Sequence, residues 1–304
     1  MFKWLRSVSV SPPYSRSPLR VAAGVPIFKD SDRYVRNYDL IASDHLASLK
    51  EKGVNPFIQE DLWKDLEQST LRLLRPVVTG SSRILDAGVG LGRLLAHFPD
   101  HDRYGVDVAL PYLQETKSSG INVAVAQLED LPYEDESFDV VVSTDVLEHV
   151  FDLYRATSEL RRVLRPGGHL VVRVPFEEDM QVYYESRQYD FVHVRRFDRY
   201  GLRLHFERIL GLEFVDEGMS EPLYRGPNLL RGKALANAQA VRDAVETVPH
   251  DVPDRDKLIQ FASVDSDSIG MFMAHLAERH PDDYARIGRV LANFLEINLL
   301  FRKP

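Results

Sequence analysis

One short stretch of the chain combines a carboxylate with three regularly spaced glycines. Residues 84–92 read Ile-Leu-Asp-Ala-Gly-Val-Gly-Leu-Gly. A short apolar run that ends in glycines is typical of a buried strand that leaves a sheet through a tight turn. If a helix starts at about residue 91, its N-terminus and the backbone N–H groups of the turn can meet a ligand, and the glycines let the ligand approach closely. We therefore expect a ligand-binding site at this loop.

The spacing of the glycines separates two classes of ligand, dinucleotides and S-adenosylmethionine. The dinucleotide fingerprint is Gly-x-Gly-x-x-Gly, with Ala allowed in the last place. Counted from Gly88 the last place is Arg93, and counted from Gly90 it is Leu95, so both registers fail. Asp86 precedes the first glycine, where a carboxylate would crowd a pyrophosphate but would suit a ligand with an ammonium and a sulfonium group. The loop therefore favours S-adenosylmethionine.

A second carboxylate, Asp107, stands at the end of the next apolar run, about 20 residues after Asp86. At the tip of a strand, a carboxylate can accept hydrogen bonds from both hydroxyls of a ribose. Both ligand classes contain a ribose. Asp107 therefore indicates a nucleoside without choosing between the two.

Strand and helix signals alternate around these residues. Apolar runs predict strands at 83–87, 103–107, 122–126, 138–144 and 169–174. Strands that alternate with helices indicate βαβ units. We therefore predict an α/β fold, with a Rossmann-like, doubly wound, mostly parallel seven-stranded sheet and a helical insertion before the last strand.

Three further segments follow the glycine loop in a fixed order. Residues 127–133 (Gln-Leu-Glu-Asp-Leu-Pro-Tyr) follow the third strand, 144–149 (Thr-Asp-Val-Leu-Glu-His) end the fourth, and 164–168 (Leu-Arg-Pro-Gly-Gly) precede the fifth. With the loop and Asp107, this order over residues 58–218 resembles the class I S-adenosylmethionine-dependent methyltransferases, and most closely the group that acts on small molecules.

The resemblance implies a cofactor role for each motif. Asp107 would hold the ribose of S-adenosylmethionine, and Gln127 and Leu128 would line its adenine. Asp145 would close the site over the amino acid end. The methionine part would be held by the residues of the glycine loop: Asp86, Gly88, Gly90 and Gly92.

Two histidines are candidates for the general base that a hydroxyl acceptor needs. His149 follows the fourth strand, at the sheet edge where ligands bind in open α/β folds. His193 follows the fifth strand, in the segment Phe-Val-His-Val-Arg-Arg-Phe, and either histidine could instead serve packing. Glu148 could line the site or cap the next helix, and the cap is the expected role. Methyl transfer requires no metal, so no metal site is expected.

A group of tyrosines, Tyr183, Tyr184 and Tyr189, follows the fifth strand. They could form a wall of the acceptor pocket, or they could be an ordinary half-buried aromatic loop.

Composition excludes several classes of protein. The 304 residues include no cysteine, which excludes disulfides, zinc–thiolate sites, iron–sulfur clusters and a cysteine nucleophile. The net charge of −8 argues against nucleic acid as the main partner. Neither a long apolar run nor an apolar leader is present, so we expect a cytoplasmic protein without stable membrane insertion.

The organisation predicted from these features has four parts. They are a flexible tail at 1–28, a methyltransferase core with N-terminal helices at 29–218, a helical insertion at 219–295, and the last strand at 296–304. The insertion would cover the acceptor or form a homodimer.

The predicted function is methyl transfer from S-adenosylmethionine to a small-molecule, glycan or lipid-precursor acceptor, with oxygen as the expected methylated atom. Two alternatives stay open. One is a nicotinamide-dependent oxidoreductase, and the other is a non-catalytic S-adenosylmethionine-binding protein.

Overall fold

The computed structural model describes residues 12–178, 180–186, 188–220, 238–260, 266–284, 287 and 296–304. The chain divides into two compact units. The first comprises Met1–Gly218 with Glu296–Pro304, and the second comprises Met219–Leu295.

The first unit is built on one sheet. The strands of the described residues are β1 Arg20–Ala22, β2 Val25–Ile27, β3 Arg83–Ala87, β4 Asp102–Asp107, β5 Asn122–Val125, β6 Phe138–Thr144, β7 Leu164–Pro175, β8 Glu213–Met219 and β9 Glu296–Arg302. Their order in the sheet is β1-β2-β5-β4-β3-β6-β7-β9-β8. The central strands β5, β4, β3, β6 and β7 pair in parallel, whereas β9 runs antiparallel to β7. The predicted Rossmann-like, mostly parallel α/β fold is confirmed.

The sheet continues beyond the seven predicted strands. β1 and β2 form an antiparallel hairpin, and β2 pairs in parallel with β5. The prediction of a flexible tail over 1–28 is therefore wrong for residues 12–28, and residues 1–11 lie outside the described residues. Val25 and Ile27 are buried. Because each strand is only three residues long, the serines and prolines around them dominate the local composition and hide this short alternation.

Helices cover the sheet and approach its carboxyl edge. Those of the first unit are α1 Arg33–Lys52, α2 Glu60–Leu74, α3 Leu110–Lys117, α4 Leu153–Val163, α5 Gln181–Glu185 and α6 Arg199–Arg203, which continues as a π-helical turn at Leu204–Ile209. The side chain of Asp152 caps α4 by accepting a hydrogen bond from the Arg155 N–H. Glu148 therefore does not have the capping role predicted for it.

The glycine loop is not followed by the predicted α-helix. Gly88, Gly90 and Gly92 all have positive φ angles, and only a short 3₁₀ turn forms afterwards, at Leu95–His97. An α-helix cannot begin across left-handed residues. The loop therefore meets a ligand with its own backbone and not with an α-helix N-terminus.

The second unit contains helices in its described part: α7 Ala238–Glu246, α8 Arg255–Gln260 and α9 Ser266–Arg279. It has a separate apolar core that includes Val245, Leu258, Phe272 and Leu276. Of the helices that the structure describes, none combines the length and apolar character needed to cross a membrane.

Candidate active site

The carboxyl ends of the central strands surround a cavity of about 680 Å³. This volume lies within the range of small-molecule sites. Several of the predicted cofactor and catalytic residues line it: Gly88, Gly90, Asp107, Leu128, Asp145, His149 and His193. Three others do not line it: Asp86, Gly92 and Gln127.

Asp107 connects two loops at the wall of the cavity. Its Oδ2 accepts a hydrogen bond from the Gly90 N–H at 3.0 Å, and its Oδ1 accepts one from the Ala109 N–H at 2.9 Å. Burial raises the pKa of Asp107, and these backbone hydrogen bonds act in the opposite direction. The Val108 N–H is a third backbone partner of this carboxylate. A carboxylate can accept about four hydrogen bonds, so Asp107 keeps capacity for one further donor such as a ribose hydroxyl.

The three glycines of the loop are required for different reasons. At Gly90 a Cβ would meet nothing within 4 Å, so this residue faces open space in the cavity. A Cβ at Gly88 would overlap the Val146 side chain. A Cβ at Gly92 would lie 2.7 Å from the Thr116 side chain, on the side of α3. Gly90 is thus the glycine whose missing side chain leaves room for a ligand, whereas Gly88 and Gly92 allow close packing.

Asp86 is buried behind the loop. Its side-chain atom Oδ1 has no hydrogen-bond partner among the described residues. Burial raises its pKa to about 7; nearby Asp107 and Asp145 add to the rise, and Arg173 opposes it. Asp86 therefore contributes a costly negative charge next to the cavity, which a cationic ligand would compensate.

Asp145 is held by an arginine of the adjacent strand. Arg173 donates from Nη2 to Asp145 Oδ2 at 2.6 Å and from Nε to Oδ1 at 3.2 Å, and it also forms an ion pair with Glu296 at 2.5 Å. Burial acts to raise the pKa of Asp145, but the Arg173 guanidinium lowers it below its usual range. Arg173 therefore uses one acceptor position on each oxygen of the Asp145 carboxylate.

The two residues predicted to line the adenine separate in the structure. Leu128 is buried and lines the main cavity. Gln127 lines a different depression of about 370 Å³, together with Phe28 and Arg155. The wall of the main cavity is thus apolar at Leu128.

His149 and His193 come together on the opposite side of the cavity, with ring centroids 4.7 Å apart. His149 Nδ1 lies 3.0 Å from the Val192 carbonyl oxygen, and His193 Nδ1 lies 2.7 Å from Glu178 Oε2. Both partners are hydrogen-bond acceptors, so each Nδ1 carries the proton and each Nε2 keeps a lone pair. Burial, and next the proximity of His193, lower the pKa of His149 to about 4.

The Glu148 carboxylate lies next to the Nε2 atoms of both imidazole rings. It is fully buried, and neither carboxylate oxygen has a hydrogen-bond partner among the described residues. Its Oε1 is 3.6 Å from His149 Nε2 and 4.0 Å from His193 Nε2. Burial raises its pKa well above the usual value, and Asp145 adds to the rise. Glu148 thus lines the cavity. In the sequence, only its position directly before the candidate base His149 indicates this.

Aromatic side chains form much of the remaining wall. Tyr183 and Tyr189 line the cavity, whereas Tyr184 is 79% exposed. Sequence reasoning missed Tyr34 and Tyr38, whose spacing of four residues puts them on one face of α1. Further aromatic residues of the wall are Phe57, Trp63 and Tyr112. The wall offers apolar surface and hydroxyl groups to an acceptor.

The titratable lining of the cavity is mostly acidic, and burial raises the pKa of Glu148 and of Glu296 well above the usual value. The described lining residues include the carboxylates of Asp107, Asp145, Glu148 and Glu296, and none of these lining residues is Lys or Arg. Arg173 lies behind this wall and compensates two of the carboxylates. The cavity is therefore suited to a cationic ligand.

Comparisons with known proteins agree with this geometry. Residues 85–172 match the family described as a methyltransferase domain. The O-methyltransferase rstn1 of Aspergillus nomiae is 32% identical over 152 residues, which are 42% of this chain and 67% of that protein. Malonyl-[acyl-carrier protein] O-methyltransferase of Methylococcus capsulatus is 35% identical over 36% of this chain and 43% of its own length. The tRNA (carboxymethyluridine(34)-5-O)-methyltransferase of Arabidopsis thaliana is 38% identical over 31% of this chain and 24% of its own length.

Solved structures share the fold at low sequence identity. One chain from the Haloferax volcanii complex of the Trm112 methyltransferase activator with a methyltransferase has a TM-score of 0.53 and 16% identity, over 91% of this chain and 100% of that one. Phosphoethanolamine N-methyltransferase 2 of Haemonchus contortus, bound to S-adenosylhomocysteine, has a TM-score of 0.52 and 18% identity, over 91% and 61% of the two chains.

These matches, together with the sheet order and the glycine loop, define the family. The chain belongs to the class I S-adenosylmethionine-dependent methyltransferases. It spans about half or less of the length of the first curated relatives that it matches.

Proposed function

We propose that the protein transfers a methyl group from S-adenosylmethionine to an oxygen atom of a small acceptor, such as a small metabolite, a glycan or a lipid precursor. One observation carries the proposal. A single cavity of about 680 Å³ contains both the cofactor-binding loop around Gly90 and the histidines His149 and His193. Donor and acceptor could therefore meet in one enclosed space, where alignment supplies most of the catalysis.

The residues of the cavity fit the cofactor. Asp107 offers acceptor capacity for a ribose, Gly90 leaves open space for close approach, and Leu128 supplies an apolar surface. The surplus of carboxylates suits a ligand that carries both a sulfonium and an ammonium group. When bound, S-adenosylmethionine supplies an electrophilic methyl group. The protein's own part is to orient the two molecules and to exclude water.

His193 is the better placed of the two candidate bases. His193 Nδ1 donates a hydrogen bond to Glu178 Oε2, and the two atoms are 2.7 Å apart. The lone pair of Nε2 is therefore available on a residue that lines the cavity. His149 has the same tautomer, but a pKa of about 4 makes it a weak proton acceptor. Loss of His193 should therefore impair turnover more than cofactor binding.

A small acceptor fits the charges better than a nucleic acid does. Some relatives act on tRNA by name, and phosphate contacts from Lys and Arg dominate nucleic-acid binding. The described lining of this cavity contains neither residue, and the chain carries a net charge of −8. We therefore favour an acceptor whose reacting part is neutral.

The direct test is turnover with methyl-labelled S-adenosylmethionine and a fractionated metabolite extract. Formation of S-adenosylhomocysteine that depends on the extract supports the proposal. If the protein does not bind the cofactor, the proposal fails. If the cofactor binds but no extract or tRNA is methylated, the protein is a non-catalytic binding protein. Transfer to tRNA alone would support a nucleic-acid acceptor instead.

We predict that His193→Ala lowers kcat by about tenfold or more, because general-base catalysis commonly contributes at least this much. The Kd for S-adenosylmethionine should stay within a factor of about two. His205→Ala is the matched control, since this half-buried histidine bonds to Thr157 and does not line the cavity. Equal turnover in the His193 and His205 variants would remove His193 from the reaction.

We predict that Asp107→Ala weakens S-adenosylmethionine binding by about 10- to 100-fold, the scale of lost charge-assisted hydrogen bonds. The structure adds a second reason, because the Gly90 and Ala109 N–H groups lose their shared acceptor. Asp107→Asn keeps one acceptor oxygen and should lose less affinity. Calorimetric titration measures both variants, with thermal unfolding as the control for folding. Unchanged affinity in Asp107→Ala would show that the ribose lies elsewhere.

A further inference from the structure

Three hydrogen-bond acceptors meet at one point of the cavity wall. The carboxylate of Glu148 and one ring nitrogen each of His149 and His193 lie within 4.8 Å of one another. Each imidazole donates its proton from Nδ1 to a partner, so each Nε2 atom presents a lone pair. Three buried acceptors that face one another are unfavourable unless a proton or a cation lies among them.

The hydrogen bonds behind the rings match those of metal-binding histidines. A histidine ligand usually donates its other N–H to a carbonyl or a carboxylate, which fixes the ring orientation and raises its basicity. His149 donates to the Val192 carbonyl, and His193 donates to Glu178. The Tyr183 hydroxyl in turn donates a hydrogen bond to Glu178 Oε1 at 2.6 Å. Each imidazole is thus oriented with its free nitrogen toward Glu148.

The distances are close to those of a metal site. Ligand atoms about 2.0–2.2 Å from a shared ion in tetrahedral geometry lie about 3.3–3.6 Å apart. Glu148 Oε1 lies 3.6 Å from His149 Nε2 and 4.0 Å from His193 Nε2. All three ligand atoms lie within 4.8 Å of one another. Side-chain movements of up to about 1 Å would therefore bring them to the spacing of a shared ion.

We propose that Glu148, His149 and His193 form a binding site for a divalent transition-metal ion such as Zn²⁺. Two imidazoles and one carboxylate suit zinc and similar ions, whereas Mg²⁺ prefers oxygen ligands. The sequence alone predicts no metal site, because methyl transfer requires no metal.

The position of the site indicates what the ion would bind. All three residues line the cavity, so a coordination position not used by the protein faces its interior. An oxygen of the acceptor would occupy that position, and with the ion bound His193 Nε2 would be a ligand and not the base. This last step rests on the proposed function. The acceptor class is then a molecule with a hydroxyl or carboxylate oxygen that can reach Glu148.

The test is calorimetric titration of the full chain, after treatment with a chelator, with Zn²⁺ and separately with Mg²⁺. We expect one tight Zn²⁺ site for each chain and at least tenfold weaker Mg²⁺ binding. Glu148→Gln should weaken Zn²⁺ binding more than tenfold, and Glu178→Gln by about tenfold through the orientation of His193. X-ray absorption of the zinc-loaded protein should show nitrogen and oxygen ligands only.

His275→Ala is the matched control, because the rings of His275 and His280 lie 5.9 Å apart in the second unit and could bind zinc adventitiously. The tight site should be unchanged in this variant. Three results would each overturn the proposal. They are the absence of a tight Zn²⁺ site, tighter binding of Mg²⁺ than of Zn²⁺, and a Zn²⁺ site that is lost in His275→Ala but kept in Glu148→Gln.

Cofactor binding by the chelated protein separates this proposal from the proposed function. If S-adenosylmethionine binds and turnover proceeds unchanged with no metal present, the role of the ion in holding the acceptor is overturned and the methyl transfer stands. If zinc binds at Glu148 but no acceptor is methylated, the metal site stands and the proposed function fails.

Discussion

Arg173→Ala is expected to lower the free energy of unfolding by about 3–5 kcal/mol, the range found when one partner of a buried ion pair is removed. Arg173 is only 4% exposed and compensates two carboxylates, Asp145 and Glu296. It also donates from Nη1 to the Leu66 carbonyl at 2.8 Å and to the Thr70 hydroxyl at 3.0 Å. The arginine thus joins β7, β9, α2 and the loop after β6. Its loss leaves the hydrogen-bonded carboxyl pair of Asp145 and Glu296 buried without a cation.

The loss of stability caused by Arg173→Ala should depend on pH. In the wild-type protein Arg173 opposes the effect of burial and lowers the pKa of Asp145, so the pair stabilises the fold above the pKa of the unfolded carboxyl group. Without the guanidinium, burial alone acts on Asp145 and Glu296, and their folded-state pKa values rise. Protonation then relieves the buried charges in acid. The destabilisation measured by urea unfolding should therefore be smaller at pH 5 than at pH 8.

Arg302→Ala is the control, because the Arg302–Glu213 ion pair lies in the same sheet but is exposed. It should cost less than about 1 kcal/mol. In a second control, Arg173→Met combined with Asp145→Asn and Glu296→Gln should recover much of the lost stability, since no uncompensated charge is left. If Arg173→Ala lowers the free energy of unfolding no more than Arg302→Ala does, Arg173 is not the cation that stabilises the buried carboxyl pair.

Much of this arrangement follows from local patterns. Strands β3 and β6 were predicted with the bounds that the structure has, because strands covered on both faces appear as continuous apolar runs. Parallel strands end at one edge of the sheet, so Asp107 and Asp145 had to lie near each other. The cofactor side of the cavity was thus largely predictable from sequence.

The remaining features depend on contacts that no local pattern shows. Equal spacing suggested one role for Gly88, Gly90 and Gly92, whereas their different neighbours give only Gly90 an open face toward the cavity. His193 meets Glu148 only because the segment after β7 folds back over the edge of the sheet, with the Val194 N–H bonded to the Glu148 carbonyl. Pairings of this kind are set by tertiary structure and are not encoded in residue spacing.

Asp86→Asn is expected to stabilise the protein relative to wild type, and by about 2–3 kcal/mol more at pH 8 than at pH 5. Burial, followed by the nearby charge of Asp107, raises the pKa of Asp86 to about 7, whereas an unfolded aspartate titrates near pH 4. The folded protein therefore binds this proton more tightly than the unfolded chain does. Stability is lost as pH rises through the interval between these two values, and asparagine cannot lose a proton.

Comparison of the two proteins at two pH values cancels the packing cost of the amide, which is the same at both. Asp102→Asn is the control, because it removes an exposed carboxylate at the opposite end of the neighbouring strand β4. Its effect should stay within about 0.5 kcal/mol at each pH. If Asp86→Asn changes the free energy of unfolding by the same amount at pH 5 and pH 8, ionisation of Asp86 does not destabilise the folded protein as expected.

The same carboxylate should respond to the cofactor. A cation bound beside Asp86 favours its ionised form, so saturating S-adenosylmethionine should lower the pKa of Asp86 and remove part of the cost. At pH 8 the thermal midpoint of the wild-type protein should therefore rise more with the cofactor than that of Asp86→Asn. A buried carboxylate that destabilises the free protein is then explained by what it contributes once a positive charge lies in the cavity.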